Sequence, residues 1–568
     1  MTAAQKRVLV IGLDGGTFDL IEPWAAEGHL PNLSRLMSEG CRGYLASTLQ
    51  PTTAPAWVTF MTGVNQGKHG LYDFVRRRPG GYNLEVTNAS HISVPTIFEI
   101  ASQLDCRVIS VNVPHTFPPC PVNGVMIGGP FAPTVTRDLV FPPTYFDEFK
   151  KVVPDYFIIP DYDSHVADPM TAFAGKLLHA VELRERLSLY LLQTETWDLF
   201  AVVFRVIDDA QHAYWHCQDA PEGSPAARHR HVIRDVYQRV DQAIGAMMAQ
   251  IAADDQERET VIIVMSDHGF GPFRCMINLN RWLAGAGYLQ FRTGSASSLR
   301  QLRAAGIKLL AQAYRRYVPT KTRAAVRVRL GARRFARVKG DFESALLTSS
   351  VAWDQTRAYV LGAGGNIFIN LKGREPAGIV QPGSEYEQLC QEIADALTTL
   401  LDPETGRPIV RRVYRREELY DGPFLDQAPD LVVEWKDYAF WGRGRYDSQG
   451  APVFETRRRF DFSDMPLTGS HRLEGILIVN GPGVRPGARV EGARLLDLTP
   501  TILGVLGLPI PRYMDGVVLH KAFVNGAIES IVSDSISPSG ISSPGSEFAY
   551  TPEEETKISQ HLQDLGYL

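Results

Sequence analysis

Asp208 and His212 are four residues apart, so one turn of helix would put both on the same side. His471 lies in the segment Thr468-Gly469-Ser470-His471-Arg472, whose glycine and serine suit a loop that could bring it to the same place. Asp14 and the adjacent pair Asp267-His268 form a second grouping. Imidazole nitrogen and carboxylate oxygen are zinc ligands, usually in four-coordinate sites. Each pair recurs by chance, but together they supply two nearly complete ligand sets. Two cations about 3.5–4 Å apart suit in-line displacement at phosphorus, because one activates the nucleophile and the other stabilises the leaving oxygen. Enzymes accelerate phosphate monoester hydrolysis by up to about 10²¹-fold. A single general base, at about 10²–10⁴-fold, does not cover such a gap.

The nucleophile expected beside these groups is Thr53, in Pro51-Thr52-Thr53-Ala54-Pro55-Ala56-Trp57. The prolines and threonines read as a loop and the first turn of a helix. A hydroxyl there sits among free backbone N–H groups, which favour phosphate oxygens. Threonine is a weak nucleophile at its free pKa and needs a metal or a base.

The positioning elements are apolar, β-branched runs at Val8–Leu13, Arg107–Val113, Leu199–Ile207, Thr260–Met265 and Gly475–Val479, read as central strands of a parallel sheet. Helical patterns at Leu30–Glu39, Thr171–Leu192 and His229–Ala252 alternate with them. This predicts a doubly wound α/β fold, with a mostly parallel central sheet flanked by helices. The first run leads into Asp14, the third into Asp208 and the fourth into Asp267-His268. Ligands bind outside the carboxyl ends of such strands, so three carboxylates there would build one acidic pocket.

The chain has 568 residues and a net charge of -5, which gives no nucleic-acid signature. Six scattered cysteines without Cys-x-x-Cys spacing read as buried free thiols. Lys6 and Arg7 precede an apolar run too short for a signal peptide, and no stretch of about 18 apolar residues occurs. A cytoplasmic location is expected, and the sequon Asn88-Ala89-Ser90 then carries little meaning. Residues 291–339 hold fourteen Lys and Arg and no Asp or Glu, with apolar residues at helical spacing over Leu299–Val318. Such a stretch lies on an anionic membrane surface, covers an anionic substrate, or is a solvated lid. The expected organisation is a core in two parts, 1–290 and 346–525, around a basic, mostly helical insertion at 291–345. A flexible linker at 526–549 and a C-terminal helix at 550–568, docked through Leu562 and Leu565, follow.

These residues resemble the alkaline phosphatase superfamily, and within it the type I phosphodiesterase/nucleotide pyrophosphatase family. The resemblance spans about residues 6–290 and 350–525. It rests on Val-Ile-Gly-Leu-Asp14-Gly, Leu-Pro-Asn-Leu-Ser-Arg-Leu, the Thr53 loop ending in Thr62-Gly63, Lys68-His69-Gly70, Asp208-x-x-x-His212, Ser266-Asp267-His268-Gly269, Gly469-Ser470-His471 and Tyr513-Met514-Asp515-Gly516. It implies an alkaline phosphatase-like fold and a phosphoric ester hydrolase working through a phospho-threonine intermediate. It also implies that Asp14, Thr53, Asp267 and His268 hold one divalent metal and Asp208, His212 and His471 the other, with zinc the usual ion and manganese or magnesium alternatives. A small-molecule phosphate ester is the implied partner. The resemblance stops at two places. Phe74 stands where nucleotide pyrophosphatases place an asparagine, and Ala56 and Trp57 replace Asn and His after the proline, so nucleotide specificity is not implied. Thr53 cannot give the formylglycine of sulfatases. A phosphomonoesterase, a phosphotransferase or phosphomutase, and an inactive relative binding anionic membranes are the competing readings.

Overall fold

The computed structural model describes residues 6–78, 80–254, 258–292, 350–444, 452–456, 467–537 and 548–564. Its spine is a nine-stranded sheet. The strands are β1 (Arg7–Gly12), β2 (Cys41–Ala46), β3 (Val108–Val113), β4 (Gly124–Gly128), β5 (Val140–Phe141), β6 (Leu199–Val203), β7 (Thr260–Met265), β8 (Glu474–Asn480) and β9 (Ala493–Arg494). They lie in the order β9-β2-β8-β7-β1-β6-β3-β4-β5.

Every residue of β1 is buried, because both faces of the sheet are covered. Leu9 and Ile11 enter one core with the helices Pro31–Glu39, Pro169–Thr194, Val206–Tyr214 and Val232–Ala252. Val8 and Val10 enter the other with Thr53–Thr62, Ile97–Gln103 and Leu498–Val505. The α/β class and the mostly parallel sheet expected from sequence are both present. The β7-β1-β6-β3-β4 block is parallel throughout.

Two expectations change. The run Leu199–Ile207 is not one strand: β6 ends at Val203, and a helix starts at Val206. Val206 and Ile207 are apolar because the helix buries them in the core, not because they extend the sheet. Gly475–Val479 is a strand, but β8 runs antiparallel to both of its neighbours. Its apolar run reflects burial alone, which periodicity cannot turn into a direction.

A second body of structure packs on two smaller four-stranded sheets and the helix Ser384–Thr398. Within the stretch expected to be a linker, Ile528 is buried and Val532–Ser533 pairs with Ile510–Pro511; residues 538–547 lie outside the described residues. Ile558 and Leu562 of the helix Pro552–Asp564 join the main core, and Leu565 lies outside the described residues. The basic stretch 293–339, with the helix expected over Leu299–Val318, also lies outside them. All six cysteines are free thiols; five are buried as expected, and Cys120 is partly exposed. Among the described residues no helix is long and apolar enough to cross a membrane.

Asp73 ties the smaller sheets to the core. Its carboxylate accepts the backbone N–H groups of Phe74 at 2.6 Å and Ala363 at 3.0 Å. Burial pushes its pKa up to about 7. The unfolded value is near 4, so the folded state holds a proton that the unfolded state gives up. That stabilisation is fully present below about pH 4 and is lost as pH rises through about 7. Asp73→Asn loses one of the two acceptors, a cost of about 1–3 kcal/mol, but it does not titrate. In urea unfolding the variant is expected to be less stable than the wild type at pH 5 and to close the gap towards pH 8. Parallel stability curves would contradict this.

Candidate metal centre

β7, β1 and β6 end at one level, with Gly12 opposite both Met265 and Val203. The chain leaves each end in a different way. After β1 it turns at Leu13-Asp14-Gly15. The amide of Leu13 still donates to Met265, and Gly15 takes a φ of +69°. A Cβ on Gly15 would lie 2.9 Å from Phe270 and 3.2 Å from Gln211, so glycine meets both the conformation and the space. After β7 come Ser266, Asp267 and His268. After β6 the helix Val206–Tyr214 presents Asp208 and, one turn on, His212. His471 arrives from far along the chain. Gly269–Pro272 pairs antiparallel with Gly469–Arg472, which puts His471 opposite Phe270 and stacks its ring on His268 with centroids 3.6 Å apart.

The expected ligands therefore converge. His471 Nε2 lies 3.1 Å from Asp208 Oδ1 and 3.1 Å from His212 Nε2, and His212 Nε2 is 3.4 Å from Asp208 Oδ1. His268 Nε2 lies 3.3 Å from Asp267 Oδ2 and 3.7 Å from Asp14 Oδ1. Two groupings have ligand geometry, Asp14-Asp267-His268 and Asp208-His268-His471, so His268 faces both. The sequence had set it with Asp14 and Asp267 alone.

All three imidazoles are oriented in the same way. His212 Nδ1 donates to the Gly469 carbonyl at 3.0 Å, His268 Nδ1 to Gly269 at 3.1 Å and His471 Nδ1 to Pro51 at 2.5 Å. A carbonyl oxygen only accepts, so in the neutral ring each proton sits on Nδ1 and each Nε2 lone pair turns inward. This outer hydrogen bond is the arrangement that fixes metal-ligating histidines. Burial keeps His268 well below the usual imidazole pKa and brings His212 down to about 4 despite Asp208, so both are neutral.

The carboxylates are under-satisfied. Asp14 Oδ1, Asp208 Oδ1 and Oδ2, Asp267 Oδ2 and His268 Nε2 are buried without a hydrogen-bond partner. Burial, reinforced by mutual repulsion, pushes Asp14 and Asp267 well above the ordinary carboxylate range. Burial also raises Asp208, but its cationic surroundings, with the Arg205 guanidinium among them, outweigh it and hold this carboxyl below its ordinary value. Buried lone pairs of this kind are satisfied by protons or by a cation. The donor set of carboxylate oxygens and neutral Nε2 atoms fits a pair of divalent ions.

Thr53 begins the helix Thr53–Thr62, and Thr52 is its cap without a side-chain capping bond. One turn beyond Thr53, Trp57 donates from Nε1 to Asp14 Oδ2 at 3.3 Å. The loop before it is held through Pro51 by His471. Thr53 thus belongs to a turn pinned to both ligand groupings, with unpaired helix N-terminal amides beside it. The sequence carries no sign of Trp57 as a donor. It also gave none of Arg205, which pairs with Asp209 at 2.7 Å and approaches Asp208 at 3.7 Å, or of Gln211, which donates to the Gly15 carbonyl at 2.8 Å. The Asp208-Asp209 doublet was the one available hint. Phe74 is buried against Phe131 and offers the site no amide.

Trp57→Phe keeps the packing but removes the Asp14 donor. It is expected to weaken metal binding at that position about 10–100-fold, read by competitive titration with a chromophoric chelator. Unchanged affinity would contradict the role assigned to Trp57.

The family model described as type I phosphodiesterase / nucleotide pyrophosphatase matches residues 8–352, a span that includes every expected ligand except His471. Among solved structures, phosphonoacetate hydrolase from Sinorhizobium meliloti 1021 in complex with phosphonoformate is 15% identical, covers 87% of this chain and 94% of its own, and has a TM-score of 0.48. Murine ectonucleotide pyrophosphatase / phosphodiesterase 5 is 13% identical, with 89% and 95% covered and a TM-score of 0.45. The human form is also 13% identical, with the same coverage and a TM-score of 0.44. Comparison with curated proteins gives no significant match.

Proposed function

The chain belongs to the type I phosphodiesterase / nucleotide pyrophosphatase family, and we propose that it is a metal-dependent phosphoric ester hydrolase acting through a phospho-threonine intermediate on Thr53. The observation that carries the metal reading is the common orientation of His212, His268 and His471, each with Nδ1 on a carbonyl and Nε2 turned towards a buried carboxylate oxygen that lacks a hydrogen-bond partner. Asp14, Asp267 and His268 would hold one ion beside Thr53. Asp208, His212 and His471 would hold the other, with His268 stacked between the two sets. When bound, the ions supply Lewis acidity and neutralise developing charge. Zinc suits the nitrogen-rich set, and manganese or magnesium are the alternatives.

The chain's own groups carry the rest. The Thr53 hydroxyl gives up its proton to solvent water as its oxygen attacks phosphorus. The new Oγ–P bond forms as the bond to the leaving oxygen breaks, and that oxygen keeps the electron pair and takes a proton from solvent. The amides of Thr53 and Ala54 at the helix start orient the phosphoryl oxygens; Pro55 has no N–H to offer. Water then displaces Thr53 from phosphorus and restores its hydroxyl. The proposed partner is a small phosphate ester, and residues 291–339 remain the proposed contact with an anionic substrate or surface.

With zinc or manganese supplied, the protein is expected to hydrolyse bis(p-nitrophenyl) phosphate faster than p-nitrophenyl phosphate. Faster monoester turnover would replace the diesterase reading with a monoesterase one. No turnover of either ester would count against hydrolysis.

A further inference from the structure

His471 is followed by an arginine whose hydrogen bonds, among the described residues, all go to backbone carbonyls. Nη1 of Arg472 donates to Tyr438 at 2.7 Å, His471 at 2.9 Å and Ser470 at 3.2 Å, and Nη2 donates to Pro272 at 2.5 Å. Ser470 and His471 lie on one strand of the pair that delivers His471 to the site, and Pro272 lies on the other. One planar fork thus clasps both strands, with charge-assisted bonds that are stronger than neutral ones. Burial brings the Arg472 pKa down to about 10, so the group stays charged at neutral pH. The guanidinium rests against Gly271, where a Cβ would come within 2.6 Å of Nε.

The fourth carbonyl leads away from the hairpin. Asp437 and Tyr438 make the turn between the strands Leu431–Trp435 and Phe440–Arg443. Their φ angles are +53° and +48°, in the left-handed region that side chains disfavour. Two successive residues persist there only where the surroundings over-determine them. Arg472 takes the Tyr438 carbonyl, and the hydroxyl of the buried Tyr438 ring donates to the Leu49 carbonyl at 2.9 Å. The next residue, Gln50, donates to the Val433 carbonyl at 2.7 Å, and Pro51 accepts from His471 Nδ1. The bonds close a ring: His471 to Pro51, along the loop to Leu49, then to Tyr438, to Arg472 and back to His471. Thr53 stands two residues beyond Pro51.

We propose that Arg472 and Tyr438 are positioning residues that set His471 against the Thr53 loop, so that one metal position and the nucleophile are built as a unit. The proposal rests on the hydrolase reading above. Neither side chain has to touch the reacting atoms. Arg472 acts on the strand pair, and through it on the direction of the His471 ring. Tyr438 acts on the loop, and through it on the Thr53 hydroxyl. A misplacement of 1 Å at a reacting group can cost about 100-fold in rate, so a bond this far from phosphorus has leverage.

The test uses the full chain and reads zinc affinity separately from turnover. In competitive titration with a chromophoric chelator, Arg472→Met is expected to weaken one of the two zinc dissociation constants about 10–100-fold and to leave the other within about threefold. Gly271→Ala, which displaces the guanidinium without removing it, should do the same and carries this arm if Arg472→Met folds poorly. Tyr438→Phe is expected to keep both zinc constants within about threefold. Its kcat on bis(p-nitrophenyl) phosphate should fall at least about tenfold, with KM within about threefold. Equal weakening of both zinc constants, or of neither, in Arg472→Met and Gly271→Ala overturns the role of Arg472. A kcat within about threefold of wild type in Tyr438→Phe overturns that of Tyr438. Absence of wild-type turnover on every ester overturns the hydrolase reading and the Tyr438 arm with it, and the zinc constants still decide the Arg472 arm.

Discussion

Thr53→Ala is expected to reduce turnover by about 10⁴-fold or more while leaving the fold and the metal content in place. A lost nucleophile is commonly worth such a factor, because the residual rate comes from binding and electrostatics alone. The structure explains why the fold should tolerate the change. Thr52, not Thr53, occupies the cap position, and the helix Thr53–Thr62 is held by Trp57, Phe60 and Met61 in the core. The ligand set should persist without the hydroxyl, because the carboxylates and imidazoles come from other elements and are oriented by backbone carbonyls. The variant should therefore bind metal yet fail to incorporate ³²P from a labelled ester, whereas the wild type should trap label after an acid quench. Label on the variant, or a rate within about tenfold of wild type, would place the nucleophile elsewhere.

Removal of the metals is expected to have the second large effect, and it splits activity from stability. Chelation should take turnover to background, and zinc should restore it. Without cations, three buried carboxylates face one another with orphaned oxygens, and Asp14 and Asp267 resist ionisation. Metal at about 100 times its dissociation constant stabilises the folded state by about 2.7 kcal/mol per site. Asp14→Asn provides the sharper contrast. The amide needs no proton to be neutral when buried beside Asp267 and Asp208, and it offers a donor where Asp14 Oδ1 now stands, 3.7 Å from His268 Nε2, which has no hydrogen-bond partner among the described residues. In metal-free protein this variant is expected to be more stable than wild type by about 1–3 kcal/mol, and it should be inactive whether or not zinc is added. A destabilised metal-free variant would mean that Asp14 is held by the fold rather than for a cation.

How far the sequence went depended on whether burial or direction decided each element. The runs at Val8 and Thr260 lie at the sheet centre and have no polar face, so burial marks them at once. Asp14 and Asp267 were legible because they follow those strands directly. Asp208 was legible as a candidate ligand one helical turn before His212, but the start of that helix at Val206 was not. Val206 and Ile207 continue the apolar run of β6, while the turn between them depends on Arg205, which no apolar pattern reveals. The position of β8 as an antiparallel strand could not be read from its residues, because a doubly buried strand looks the same in either direction. The convergence of His471 depends on one hairpin-like pairing between Gly269–Pro272 and Gly469–Arg472, about two hundred residues apart in the chain. The partners that orient the imidazoles are backbone carbonyls of Gly269, Gly469 and Pro51, and these have no sequence signature.

The most direct test is anomalous diffraction at the zinc edge from crystals of the zinc-loaded protein. Two peaks about 3.5–4 Å apart are expected, one among Asp14, Asp267 and His268 and the other among Asp208, His212 and His471, with the Thr53 hydroxyl at the first. A single peak, or zinc bound away from these side chains in protein that is fully loaded and active, would contradict the account.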